Sequence, residues 1–402
     1  MVFIAKAKGT PIASDFASAS SANLMIAILF RQENFVNLCY EIAVFVPHSL
    51  PISIRRRLAK VFYYGGAHSG SGTAAVVWFI LYTAVSTKDY IRAPNRDELV
   101  PLVMSYFLVA MFVFIVGVSH PRFRVMFHDY FEAVHRFSGR ISLIVFWIHN
   151  GLASRNSARQ ENISTGLYIV RSPNFWFFCV ATFCMLLSWS RLRRRTVYPE
   201  ILSDYAIRLH FKYRPMQPFY NLKLSTSPLF KWHEFATIPD EDVNGKINGF
   251  SVVVSNVSIW TKETITNPST KLWVRGYPLH DPLYTSKLFK RIVVVATGSG
   301  IGPCLSLFYA NATPCRVLWS CPHPETTYGP NIMDSVLKAD PNAIVWNTRT
   351  LGRPDMVSLT YKLVLESNAE AVFIISNPIV TQKVVNGMET KGIPAYGTIF
   401  DS

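Results

Sequence analysis

Charge is scarce in this chain. Only 16% of its 402 residues are Asp, Glu, Lys or Arg, 50% are hydrophobic and 14% aromatic, with a mean hydropathy of +0.21. That balance favours a membrane protein carrying a soluble part. Cysteine is sparse too, with six residues at 39, 179, 184, 304, 315 and 321 and no CxxC spacing among them. A disulfide framework and a zinc site are therefore not expected. The first 20 residues have no continuous apolar core, so no cleavable signal peptide is expected, and a flexible lead over residues 1–22 is. Internal repeats and low-complexity tracts are lacking as well.

The formal net charge of +15 suggests nucleic acid until it is located. Residues 1–195 hold 21 Lys/Arg and 9 Asp/Glu, a net +12, against 19 and 16, a net +3, in the remainder. The excess sits in the apolar half, and nucleic acid is not an expected partner.

Four stretches there are apolar enough to span a bilayer: 71–87, 101–119, 141–153 extended back to His135, and 174–190. A hydrocarbon core of about 30 Å needs about 20 residues. A fifth stretch, 24–46, is interrupted by Arg31, Gln32, Glu33, Asn34 and Glu41. It reads either as a span with polar groups facing a bundle interior or as an interfacial helix followed by a short apolar one. The expected transmembrane domain is thus 23–195, with four or five helices.

Basic clusters fall in alternate connectors: Arg55, Arg56, Arg57 and Lys60; Arg122, Arg124, Arg136 and Arg140; and Arg191, Arg193, Arg194 and Arg195. By the positive-inside rule these face the cytosol, as does the carboxy-terminal half. Asn162-Ile163-Ser164 then lies on the opposite side, where its glycosylation sequon is usable.

After Arg195 the texture changes. Segments 205–213, 219–226 and 249–260 alternate polar with apolar or aromatic residues, as half-buried strands do. An antiparallel barrel over 196–286 is their natural closure. From 287 the pattern becomes continuous β-branched runs separated by helix-like segments, an α/β nucleotide-type domain ending at 402. Its chemical centre is Gly298-Ser299-Gly300-Ile301-Gly302-Pro303, a glycine turn between a buried strand and a helix. Such a turn lets backbone approach phosphate closely at the helix's positive end. It is neither GxGxxG nor a P-loop, and a purely structural turn is its alternative reading.

With these motifs in view, the sequence resembles a family. "VVVATGSGIGP" is similar to the pyridine-nucleotide turn of ferredoxin-reductase-like flavoenzymes, and "PLFKWHEFATIPD" (228–240) to the flavin motif of ferric reductases and NADPH oxidases. "FEAVHRFSGRISLIVFWIH" resembles the haem helix of the latter. Together with "YYGGAHSGSG" (63–72) and the ending "GIPAYGTIFDS", the set resembles fungal TmpA-type integral membrane flavoproteins.

The resemblance implies FAD and NAD(P)H as cofactors. Gly298, Gly300, Gly302 and Pro303 would hold the dinucleotide, and His233, Phe235 and Thr237 would lie at the flavin, with Ala236 where the family has threonine. Ser376-Asn377 stands where the family has Cys-Gly beside the nicotinamide. Phe400, or alternatively Tyr396, would cover the flavin. Arg349 and Arg353 either read a 2′-phosphate or are simply solvated.

The haem motif departs from the family, which pairs histidines on two facing helices. His135 and His149 are 14 residues apart, about 21 Å along one helical face. No histidine occurs between 150 and 209, so two fully ligated haems cannot form within the chain. One haem b held by His68 and His135 is one reading, with His149 left as a hydrogen-bonded residue. An inherited helix without haem is the other. His120 and His128 are expected in loops.

The expected activity is transfer of electrons from NAD(P)H through FAD to a membrane-associated acceptor or partner enzyme. A redox sensor or regulatory scaffold with little turnover is the alternative, and a transporter has little support.

Overall fold

The structure, a computed structural model, describes residues 12–398. By contacts, the chain divides into two compact units, Met1–Gln32 with Tyr63–Leu187, and Glu33–Phe62 with Ser188–Ser402.

The first unit is helical, with helices Ala13–Leu29, Gly65–Arg92, Arg96–Val118, Pro121–Met126, His128–Gln160, Thr165–Arg171 and Pro173–Ser190. Its core gathers Phe79, Tyr82, Leu108, Phe112, Phe146 and Phe178; the Phe79 ring stacks on Tyr82, meets Phe112 edge-on and is tilted against Phe146, which is tilted in turn against Phe178. Three helical stretches among the described residues are long and apolar enough to cross a membrane: Ile52–Arg92, Arg96–Val118 and Pro173–Ser190.

Two expected spans come out differently. The span drawn from His135 to 153 is the middle of a 33-residue helix, His128–Gln160, which does not meet that standard of length and apolarity. Glu132, Arg136, Arg140, Arg155 and Arg159 dilute it on both sides of an apolar centre too short to span alone. The stretch 24–46 is no continuous span either. It breaks into Ala13–Leu29 and Glu33–Val44, bent by 76°.

Glu33–Val44 belongs to the second unit, where it satisfies an irregular strand end. Asn37 donates to Pro278 O and accepts from His280 N, both at 2.8 Å, and Glu41 lies 3.5 Å from His280 Nε2. Ile52–Leu58 is pinned nearby by the buried Arg55, whose guanidinium donates to both carboxylate oxygens of Glu370 at 2.8 and 3.0 Å and to Leu288 O. The helical domain expected over 23–195 therefore loses residues 33–62 to the second unit.

Its further boundary moves as well. Arg193–Thr196 is strand β1, paired antiparallel with β8, Lys271–His280, so part of the basic cluster read as a connector is sheet. The remaining antiparallel strands are β2 (Tyr198–Ile201), β3 (Ala206–Phe211), β4 (Tyr220–Ser225), β5 (His233–Ala236), β6 (Ile238–Glu241) and β7 (Ile247–Ser255). They form two four-stranded sheets, β1-β8-β4-β5 and β2-β3-β7-β6. Ile207, Leu209, Phe211, Leu222, Leu224, Val252 and Val274 share one core. The expected closed barrel is thus corrected to two separate sheets facing one core, since no ladder among the described residues joins them.

The last strands are β9 (Ile292–Thr297), β10 (Cys315–Cys321), β11 (Ile344–Asn347), β12 (Ala371–Ile375) and β13 (Ala395–Thr398). They form one parallel sheet in the order β11-β10-β9-β12-β13. Helices cover both faces, so Ile292, Val294 and Ala296 enter one core while Val293 and Val295 enter another. Burial on both sides explains the unbroken apolar run of β9.

Candidate functional site

In a doubly wound sheet, ligands bind beyond the carboxyl ends of the strands where the chain reverses its direction of winding. Here that point lies between β9 and β12. β9 leads into the 3-10 turn Gly298–Gly300 and then the helix Ile301–Ala310, while β12 leads through Ser376 and Asn377 into the helix Pro378–Glu389.

The glycines have separate reasons. Gly298 has φ +51°, and a Cβ there would meet nothing within 4 Å, so its outer side is open. Gly300 packs against the end of β12, where a Cβ would lie 2.1 Å from Ile375 O. Only glycine fits there. A Cβ on Gly302 would make ordinary contact with Val253 of β7 at 3.6 Å. Gly302 therefore faces the antiparallel part, and Pro303 is half-buried in the same turn of helix.

Two side-chain bonds hold this turn. Trp319 Nε1 donates to Gly298 O at 3.1 Å, and the Thr297 and Ser376 hydroxyls are 2.5 Å apart. Asn377 caps its helix by accepting from Val380 N. At the ends of β10 and β11, Asn347 accepts from His323 N and Arg349 N, tying the two loops together. Arg349 and Arg353 are exposed just beyond β11.

The glycine helix also packs on the antiparallel sheets. Phe219 N donates to Ser306 Oγ at 2.6 Å, and Tyr309 OH donates to Glu241. On those sheets, His233 lies at the start of β5 with its ring stacked on Trp260 at 4.4 Å, and Phe235 is tilted against the same indole at 5.8 Å. Trp260 was not singled out from the sequence. It lies on the helix Ile259–Thr266, capped by Ser258, and its only sequence signal was its place at the end of an alternating strand.

Two expected flavin contacts are corrected. Thr237 is fully buried and its hydroxyl donates to Tyr220 O at 2.9 Å, so it pins strands. Tyr396, the alternative cover, is 2% exposed among Phe289 and Phe373, and its hydroxyl donates to Arg56 O. Phe400 lies outside the described residues.

In the helical unit, the rings of His68 and His135 lie 6.0 Å apart, near edge-on. Nδ1 of His68 is 2.8 Å from Ala27 O, and Nδ1 of His135 is 3.1 Å from Ser119 Oγ. Each pairing leaves Nε2 for a metal, the arrangement ligating histidines commonly have. His149 is instead buried, with Nε2 at 2.9 Å from Ser105 Oγ and 3.4 Å from Tyr82 OH. His120 caps the helix Pro121–Met126, while His128 opens the long helix and is not in a loop. Asn162 is exposed with φ 52°, and the sequon's Ser164 caps Thr165–Arg171.

Comparison with known proteins gives relatives of greater length. Residues 283–402 match the family described as adenylate-forming reductase 03009, C-terminal domain. Over 95% of its length the chain is 41% identical to adenylate-forming reductase 03009 and 40% identical to adenylate-forming reductase 06235, both of Coprinopsis cinerea. It spans 37% of each of those proteins. Among solved structures, a ferredoxin NADP+ reductase from Neisseria gonorrhoeae with bound FAD and NADP is similar over 52% of this chain and 98% of that one, at 12% identity and a TM-score of 0.42. A flavohemoglobin from Malassezia yamatoensis with bound FAD and heme is similar over 96% of this chain and 98% of its own, at 10% identity and a TM-score of 0.40.

Proposed function

We propose that the chain is a membrane-bound flavin-dependent oxidoreductase, ferric-reductase-like in plan, that takes hydride from NAD(P)H and passes electrons to a membrane-associated acceptor. The observation that carries this reading is the open glycine turn at the winding reversal of the parallel sheet, packed through Gly302 directly on Val253 of the antiparallel sheets. That packing brings a nucleotide-binding edge and a flavin-type sheet together.

When bound, nicotinamide supplies the hydride, and flavin divides the electron pair into single electrons. The protein's part is binding and alignment. Gly298 leaves backbone open to a pyrophosphate at the positive end of the helix Ile301–Ala310. Arg349 and Arg353 would pair with a 2′-phosphate and so favour NADPH. Ser376, held by Thr297, would sit where the nicotinamide reaches the strand ends. His233 and Trp260 form an aromatic wall suited to the flavin side.

His68 and His135 fit a single haem, since both keep Nε2 free and their ring separation suits two ligands on one metal. Such a haem would hand on single electrons. The three apolar helices support a multi-pass protein of the plasma or an internal membrane with its carboxy-terminal half cytosolic and Asn162 glycosylated on the far side. The relatives' name, adenylate-forming reductase, suggests that this chain serves as the electron-transfer part of such a reductase. Serine in place of the family's cysteine at 376 favours a second reading, a redox-sensing scaffold with little turnover.

Steady-state NADPH oxidation by the purified chain, with flavin identified after heat release, tests the proposal. Gly300→Val should abolish turnover, because its side chain must displace the β12 end. Equal turnover in the variant, or protein free of both flavin and NADPH affinity, would overturn it.

A further inference from the structure

The triplet Arg55-Arg56-Arg57 divides its work. Arg55 is buried against Glu370, whereas Arg56 and Arg57 are exposed. With Ser53 and Lys60 they line a cavity of about 410 Å³. Its lining thus holds three cations and one hydroxyl, and no carboxylate among the described residues. The frame beneath is fixed: Arg55 also donates to Leu50 O, Tyr396 OH donates to Arg56 O, and Ala59 is fully buried. Unneutralised cations on a pinned backbone are preorganised for an anion.

Ile52 and Ile54 on the same short helix are 39% and 43% exposed. Apolar side chains beside exposed arginines are the pattern of a segment lying at a lipid headgroup layer. In the chain, Lys60 comes just before Gly65–Arg92, and the helical stretch Ile52–Arg92 contains a segment long and apolar enough to cross a membrane.

We propose that Ser53, Arg56, Arg57 and Lys60 form a binding site for an anionic phosphate group, supplied by the headgroup of a membrane lipid. Arginine forks hold phosphate oxygens in pairs and Lys60 adds a point charge. Basic residues immediately beside a membrane segment are the usual contacts of acidic lipids. The lipid source rests on the membrane reading above; the phosphate chemistry does not.

The test is isothermal titration of the full chain in neutral detergent with water-soluble short-chain phosphatidic acid, short-chain phosphatidylcholine and inorganic phosphate. Each cation contributes roughly five-fold in affinity near an anionic headgroup. Phosphatidic acid should bind, phosphatidylcholine should not, and Arg56→Gln/Arg57→Gln/Lys60→Gln should weaken binding about a hundred-fold at unchanged melting temperature. Lys60→Gln alone, about five-fold weaker, serves if the triple variant does not fold. Equal competition by inorganic phosphate would overturn the headgroup as the source. Binding unchanged in the variants, or absent in the native chain, would overturn the site. Carbonate washing of membranes separates the two readings: release of the chain overturns the membrane reading and with it the lipid source, whereas retention without lipid binding overturns the site alone.

Discussion

Thr297 and Ser376 share a hydrogen bond of 2.5 Å across the carboxyl ends of β9 and β12, which run parallel side by side. The bond closes the strand ends where the glycine turn begins, which puts Ser376 at the floor of the proposed site. Ser376→Ala should lower stability by about 1 kcal/mol, the usual net worth of one hydrogen bond. It should also lower the kcat for NADPH oxidation. Ser376→Cys should raise kcat above the native value with KM little changed if, as proposed, the residue adjoins the nicotinamide, because a thiol stands there in the flavoenzymes the sequence resembles. Identical steady-state rates in all three would remove Ser376 from the site.

Gly300 and Gly302 should behave oppositely. Gly300→Ala puts a methyl 2.1 Å from Ile375 O, a backbone atom that cannot step aside, and should cost about 1–3 kcal/mol and most of the turnover. Gly302→Ala makes only ordinary contact within a helix, where alanine is favoured by about 1 kcal/mol. It should fold normally and keep its activity. Thermal unfolding and NADPH oxidation on the same preparations check both.

Asp281 supplies a pH dependence. It is buried, caps the turn Pro282–Leu288 by accepting from Leu283 N at 2.6 Å, and is pushed by burial up to about 7. The folded carboxyl therefore holds its proton through a range where the unfolded one, near 3.8, has lost it. The folded state binds more protons there, so stability should fall as pH rises from about 4 to about 7 and level off above. Asp281→Asn keeps the cap acceptor and should flatten that slope. A slope unchanged in urea unfolding at pH 5 and pH 7.5 would assign it to other groups.

Haem content should follow the hydrogen bonds of the helical unit. His68→Ala or His135→Ala should abolish a Soret band, while His149→Ala should leave it, because Ser105 and Tyr82 already engage His149 Nε2. A band lost only in His149→Ala would contradict the pairing.

The parts of the fold that were legible in the sequence share a local cause. The run Ile292–Thr297 followed by three glycines states its own structure, since a strand buried on both faces needs no alternation and the turn needs no side chains. Helices such as Arg96–Val118, apolar beyond the charged first turn at Arg96, Asp97 and Glu98, are equally plain. What stayed hidden depends on distant partners. Glu33–Val44 reads as half a membrane span until Asn37 and Glu41 are seen to satisfy the Pro278–His280 strand end. Arg193–Thr196 reads as a charged connector until β8 pairs with it. Of the proposed site, Gly298, Gly300 and Ser376 stand out in the sequence by their motifs, whereas Trp260 does not, because nothing in its own segment shows that His233 will stack on it. Thr237 misled for the same reason: its partner, Tyr220 O, lies on another strand.

The central claim is that NAD(P)H reduces a flavin held by this chain. The visible spectrum of the detergent-purified protein, recorded without oxygen before and after addition of NADPH, tests it most directly. The account predicts a flavin band that bleaches on addition, with a shift of the Soret band where haem is bound. A flavin band that is absent, or present and unresponsive to NADPH, would contradict it.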